Sequence, residues 1–245
     1  MHPIGSIKIY NDIGVEQISL PLLLKELSAW KTLFISSNEI IQTFWESDTS
    51  LLIIPGGRDV PFHKSLEGKG NQRIRRYVEN GGSFLGICAG AYYGCGAVEF
   101  DRGRELEVVG VRELSFFPGI ARGPAYGPGT FRYHSEQGGR ASLISNSFYD
   151  ETFMSYHNGG CYFVDAAHYP NVRIISQYLD IDTQPAAIIE MPIGKGKVIL
   201  SGIHIEMGTS HHSSILDKKM SQALIPHEIQ RKRFFHQLLS RLGLI

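Results

Sequence analysis

The stretch GSFLGICAGAYYG, residues 82–94, sets one cysteine between two glycines, each two positions away. A thiol attacks an acyl carbon well only after losing its proton. Such chemistry therefore needs an exposed tight turn, a base, and donors for an oxyanion. Gly86-Ile87-Cys88-Ala89-Gly90 has the form of a nucleophile elbow: an apolar strand enters, a helix leaves, and flanking residues must be small. This turn would give Cys88 the positive end of the following helix, which favours thiolate, and would aim the Ala89 N–H at an oxyanion. Gly57, in Pro55-Gly56-Gly57-Arg58-Asp59, is the candidate second donor. His204, in Gly202-Ile203-His204-Ile205-Glu206, is the candidate base, and Glu206 would orient its imidazole.

Other residues are candidates for contact with a substrate. Arg58 follows the glycine turn, Tyr92 follows the elbow, and Asn158 lies beside Gly159-Gly160. Arg122 and Tyr126 belong to a loop, ARGPAYGPG, that would cover the pocket. Each has a simpler reading as a crowded turn, a rigid loop or a structural ion pair. Cys88 could also serve as a redox-sensing thiol.

These residues need a frame. Ile7–Tyr10, Thr32–Ile35, Leu51–Ile54 and Ser83–Ile87 read as strands; Leu51–Ile54 is a continuous aliphatic run, the pattern of a parallel strand covered on both faces. Helical spacing marks residues 15–30 (with Pro21 disturbing the first turns), 39–45, 70–79 and 89–94. The alternation predicts a doubly wound, mostly parallel sheet with helices on both faces, and sites at the carboxyl ends of its strands. Residues 98–170, rich in Gly, Pro and aromatics, predict an irregular, partly antiparallel insertion. Strands return at 172–178 and 186–190, and a turn at 194–196 feeds Val198–Leu200. Residues 227–242 form an amphipathic helix with Ile229, Phe234, Phe235, Leu238, Leu239 and Leu242 on its apolar side.

The chain has 245 residues, zero formal net charge and 42% hydrophobic residues. It reads as one domain over 1–245, with no electrostatic reason to bind nucleic acid or a membrane surface. There is no leader-like segment and no apolar run of about 20 residues. Cys88, Cys95 and Cys161 form no CxxC pair, which points to a reducing cytoplasm. Cys95, about two helical turns beyond Cys88, reads as packing. His168 and His211-His212 lack zinc-site spacing and read as surface residues, so neither metal nor cofactor is expected. Lys218-Lys219 and Arg231-Lys232-Arg233 read as solvated charge clusters. The expected partner is a small acyl or amide substrate, with any protein partner left unidentified.

Cys88 in Gly-x-Cys-x-Gly with a late His204-x-Glu206 resembles the class I glutamine amidotransferase superfamily. Within it, the sequence is most similar to the amidotransferase-like N-terminal domain of biotin–protein ligases. The residues that carry this are IIPGGRDVPF (53–62), GICAGAYYG (86–94), VGVRELSFFPGIARGPAYGP (109–128), HNGGCYF (157–163) and GKGKVILSGIHIE (194–206). The resemblance implies a flavodoxin-like fold and a Cys88-His204-Glu206 triad. Working glutaminases carry Gln where Tyr92 stands, so a standard glutaminase is not implied. Neither a synthetase nor a ligase catalytic domain is recognisable, and Arg102-Gly103-Arg104 is not the ligase's Gly-Arg-Gly-Arg loop, so biotin ligation is not expected of this chain. Two functions remain open: a cysteine hydrolase-type enzyme acting through a thioester, and a non-catalytic binding or regulatory module related to biotin–protein ligase.

Overall fold

The aliphatic run 51–54 is wholly buried and divides its side chains between two cores: Leu52 and Ile54 on one, Leu51 and Ile53 on the other. Such two-sided burial needs helices above and below the strand. The computed structural model, which describes residues 5–133, 135, 137–208 and 218–245, supplies them. The first part runs β1 (Ser6–Tyr10), α1 (Leu20–Glu26), β2 (Thr32–Ile35), α2 (Ser37–Gln42), β3 (Thr49–Ile54), α3 (Asp59–Leu66), α4 (Lys69–Glu79), β4 (Ser83–Ile87) and α5 (Ala89–Tyr93). The middle adds β5 (Cys95–Phe100), β6 (Val108–Val111), β7 (Phe117–Gly123), β8 (Arg140–Asn146), β9 (Glu151–His157) and β10 (Tyr162–Phe163). Then come β11 (Arg173–Gln177), β12 (Ala186–Ile193), β13 (Gly196–Ser201), α6 (Lys218–Leu224) and α7 (Glu228–Arg241).

The main sheet has the order β2-β1-β3-β4-β13-β12-β10-β7-β5-β6, with β11 also paired to β12. From β2 through β13 every neighbouring pair is parallel. Helices α1 and α7 cover one face through Leu20, Leu23, Phe234 and Leu238. Helices α2 to α5 cover the other through Ile40, Phe62, Ile74 and Tyr93. This is the doubly wound arrangement that the alternation predicts and the flavodoxin-like fold that the resemblance implies.

Several local expectations are corrected. Helix α1 is much shorter than 15–30, because Pro21 sits in its first turn and Val15 pairs with Gly57 instead. Helix α2 starts at Ser37 and ends before Thr43. A capping box fixes its start: Ser36 Oγ accepts the Glu39 N–H, and the Glu39 carboxylate accepts the Ser36 N–H. Trp45 lies outside it and donates to the Ile40 carbonyl. Helix α3 was not anticipated. The middle segment is far more regular than expected: β5 and β7 pair in parallel within the main sheet, and β8–β9 form a separate hairpin. Cys95 is not on a helix but opens β5. Ile229 is 79% exposed, off the apolar side of α7. Arg231 is 2% exposed and ion-paired, so its cluster is not simply solvated. His168 is exposed, and His211-His212 lie outside the described residues.

Candidate active site

Three neighbouring parallel strands, β3, β4 and β13, end side by side, and each ends in one of the three glycine-bounded motifs. The Cys88 N–H donates to the Ser201 carbonyl at 2.8 Å, and the Gly90 N–H donates to Pro55 at 3.2 Å. Strand pairing therefore brings Pro55-Gly56-Gly57, the Cys88 turn and Gly202–Glu206 to one edge.

Cys88 has φ 51° and ψ −105°, a conformation L-residues rarely adopt and one held at sharp strand-to-helix turns. The glycines on either side are needed by close approach. A Cβ on Gly90 would stand 1.9 Å from the Ile54 carbonyl oxygen, and one on Gly86 would stand 2.5 Å from that of Gly90. Helix α5 is only five residues long, so its dipole contributes little to the thiol; the imidazole carries the electrostatics.

His204 Nδ1–H donates to Glu206 Oε1 at 2.8 Å, which leaves Nε2 as the ring nitrogen available for proton exchange. Burial alone would hold this imidazole neutral. The charges of Cys88 and Glu206 on either side overcome it and hold the ring well above the usual histidine range. The Cys88 thiol also faces the Asn158 carbonyl at 3.8 Å. Gly56 packs between the two, since a Cβ there would lie 2.9 Å from His204 Cε1 and 3.7 Å from Cys88 Cβ. Cys88 and His204 are 7% and 8% exposed, and Glu206 is 2% exposed.

The backbone of the 55–58 turn is held by residues 14–16: Arg58 N–H donates to Gly14 and Glu16 N–H to Gly56. Val15 and Gly57 are thus the non-hydrogen-bonded pair of this bridge, and the Gly57 N–H points away from it. Among the described residues, the N–H groups of Gly57 and Ala89 have no protein acceptor.

The five candidate contacts fall in different places. Arg58 is exposed, and its guanidinium lies 5.9 Å from the centre of the Tyr133 ring. Asn158 reaches the thiol through its carbonyl, while its side-chain amide donates to Ser135. Tyr92 is 4% exposed, stacks edge-on against Phe100 and donates to the Gly159 carbonyl. Arg122 is bound to Glu99, and Tyr126 donates to Asp180 beneath the Arg140 guanidinium. Neither polar end faces Cys88.

Three supporting features escaped the sequence reading. Arg231 of α7 donates to the Ile205 carbonyl at 2.7 Å and to Glu26 and Glu228 at 2.9 Å, fixing the backbone between His204 and Glu206. The His204 N–H donates to Tyr156 of β9. The Tyr133 ring lies 5.9 Å from the guanidinium of Arg58, the residue that follows the Gly56-Gly57 turn. A run of charges and a loop tyrosine carry no local signal of these roles. Among the described residues, no group of three or more His, Cys, Asp or Glu is placed to hold a metal ion, and no helix is long and apolar enough to cross a membrane.

Fold and elbow define an amidotransferase-like α/β protein. A solved glutamine amidotransferase superposes over 98% of this chain and all of its own, with a TM-score of 0.64 at 15% identity, a likeness of fold alone. The chain belongs to the biotin-protein ligase N-terminal family, whose sequence model matches residues 6–245. It is 36% identical over 249 residues to a biotin–protein ligase of Schizosaccharomyces pombe, covering 98% of this chain and 38% of that one. It is 45% identical over 167 residues to an uncharacterized protein of Chlamydia muridarum, covering 68% of this chain and 64% of that one. The chain thus spans less than two thirds of the length of either relative.

Proposed function

We propose that Cys88 is the nucleophile of a hydrolase-type site acting on an amide or other acyl carbon. The observation that carries this reading is the His204 ring, hydrogen-bonded to Glu206 and packed with Cys88 around Gly56, beside the strained elbow. Sulfur attacks with its proton held on His204 Nε2, and the Gly57 and Ala89 N–H groups receive the oxyanion. Collapse breaks the bond to the leaving amine or alcohol, which takes the proton from His204 and leaves a thioester. Water then attacks with His204 as base, releasing the acid and restoring the thiol. Glutamine is not the proposed substrate, since Tyr92, a buried ring, stands where working glutaminases carry a Gln residue. Three free cysteines suit a reducing compartment, and the cytoplasm is the proposed location.

The test is alkylation at pH 7 by iodoacetamide, followed residue by residue by mass spectrometry. Cys88 should react faster than free cysteine, and His204→Gln should remove the excess. Cys95 and Cys161, buried in surroundings that push their thiols up, should stay unlabelled. A Cys88 rate at or below that of free cysteine, or one indifferent to His204, would sink the proposal.

The committed position of the Tyr92 ring favours a second reading, a ligand-binding or regulatory module without turnover that acts beside biotin ligation. It predicts that Cys88→Ser leaves the cellular phenotype unchanged.

A further inference from the structure

The 121–129 loop singled out in the sequence is engaged away from the cysteine. It walls a cleft of about 500 Å³ with Glu99, Arg102 and Tyr162, a volume ordinary for small-molecule sites. Glu99, Arg122 and Tyr162 are direct register partners across β5, β7 and β10, so they form a row on adjacent strands. Arg122 Nε donates to Glu99 at 2.7 Å, and its Nη1 donates to the Tyr162 hydroxyl at 3.4 Å. Arg102 donates to the other Glu99 oxygen at 3.4 Å. One carboxylate thus lies between two guanidiniums, and one positive charge is left over.

A second cleft of about 370 Å³ shares Pro128 with the first and adds Arg104 and Arg132. Among the described residues that line it, Glu105 opposes them, 4.0 Å from Arg132, and the buried Asp101 lies behind the wall, accepting the Gly129 N–H. The joined clefts hold four arginines and two glutamates in a chain of zero formal net charge. Planar guanidiniums match the oxygen geometry of phosphate and can bind it through paired N–H groups. Arg122 is already fixed by Glu99 and Tyr162, so little side-chain freedom remains to be lost on binding. The wall at Gly123 rests on Tyr92, whose hydroxyl would stand 1.6 Å from a Cβ there. The cleft therefore backs onto the elbow helix without opening on Cys88.

We propose that these joined clefts bind the phosphate groups of a small organic phosphate carrying at least two negative charges. The site stands whether or not Cys88 turns over a substrate.

Isothermal titration of the intact chain with inorganic pyrophosphate, ADP and citrate tests this. Pyrophosphate and ADP should bind, more weakly as salt rises. Citrate, a polyanion of different geometry, should bind less tightly. Arg122→Gln and Arg102→Gln should each weaken pyrophosphate about tenfold. Arg102 is the safer variant, because its side chain is 67% exposed. Arg76→Gln, which removes the same charge from exposed α4, should leave binding unchanged. The proposal is overturned by no binding at millimolar pyrophosphate, by equal binding of citrate, or by Arg102→Gln behaving like Arg76→Gln.

Discussion

Acidification should destabilise this protein through His157 before most carboxylates titrate. His157 is 1% exposed, packed edge-on against Tyr126 and Tyr178, with Nε2–H donating to the Gly160 carbonyl. Burial is the main cause that pushes its ring down to about 3; the Gly160 bond opposes this, and nearby His204 and Arg140 add to it. In the unfolded chain the ring takes up its proton near pH 6.5. Between those values the unfolded state binds more protons, so stability is complete above about pH 6.5 and is lost as pH falls toward 3. The whole gap corresponds to about 5 kcal/mol, and lowering pH from 6 to 4.5 should cost about 2 kcal/mol from this ring alone.

His204 works in the opposite sense. Its raised value gives stability that is fully present below about pH 6.5 and lost as pH rises through the folded value, so it is nearly flat over this window. His157→Gln keeps an amide N–H for Gly160 and removes the titration. Urea unfolding at pH 6 and 4.5 should show the loss in the wild type and about 2 kcal/mol less of it in the variant. Equal losses in both proteins would refute the reasoning.

Two further outcomes follow from the elbow. Gly90→Ala forces a methyl onto the Ile54 carbonyl at 1.9 Å, and should cost about 3 kcal/mol or prevent folding, read by the urea midpoint. Glu206→Gln keeps an acceptor for His204 Nδ1–H but removes the charge that helps hold the imidazolium. Cys88 alkylation at pH 7 should fall about tenfold with little change in the unfolding midpoint.

Much of the parallel core was written locally. Buried parallel strands must be apolar on both faces, so residues 51–54 stand out as a short aliphatic run and Phe84, Leu85 and Ile87 as an apolar one. The elbow was legible because its glycines answer a local demand: backbone passes within van der Waals distance at Gly86 and Gly90. His204 and Glu206, two residues apart, could be paired on paper for the same reason.

What the sequence could not supply was neighbourhood. Cys88 meets His204 only because β13 pairs with β4, with Ser201 opposite Ile87, a register set by side chains from the whole sheet. Arg231 looked solvated within its charge run, yet Glu26, 205 residues away, meets it in the interior. Arg122 and Tyr126 looked like a lid over the cysteine, yet Glu99 and Asp180 claim them from other strands and loops. A charge's environment is decided by which partners the fold brings within about 4 Å, and those partners come from distant parts of the chain. Local spacing prescribes the Gly-x-Cys-x-Gly turn and the strands beneath it; packing across the whole fold selects which side chains share its mouth and which turn toward a second cleft.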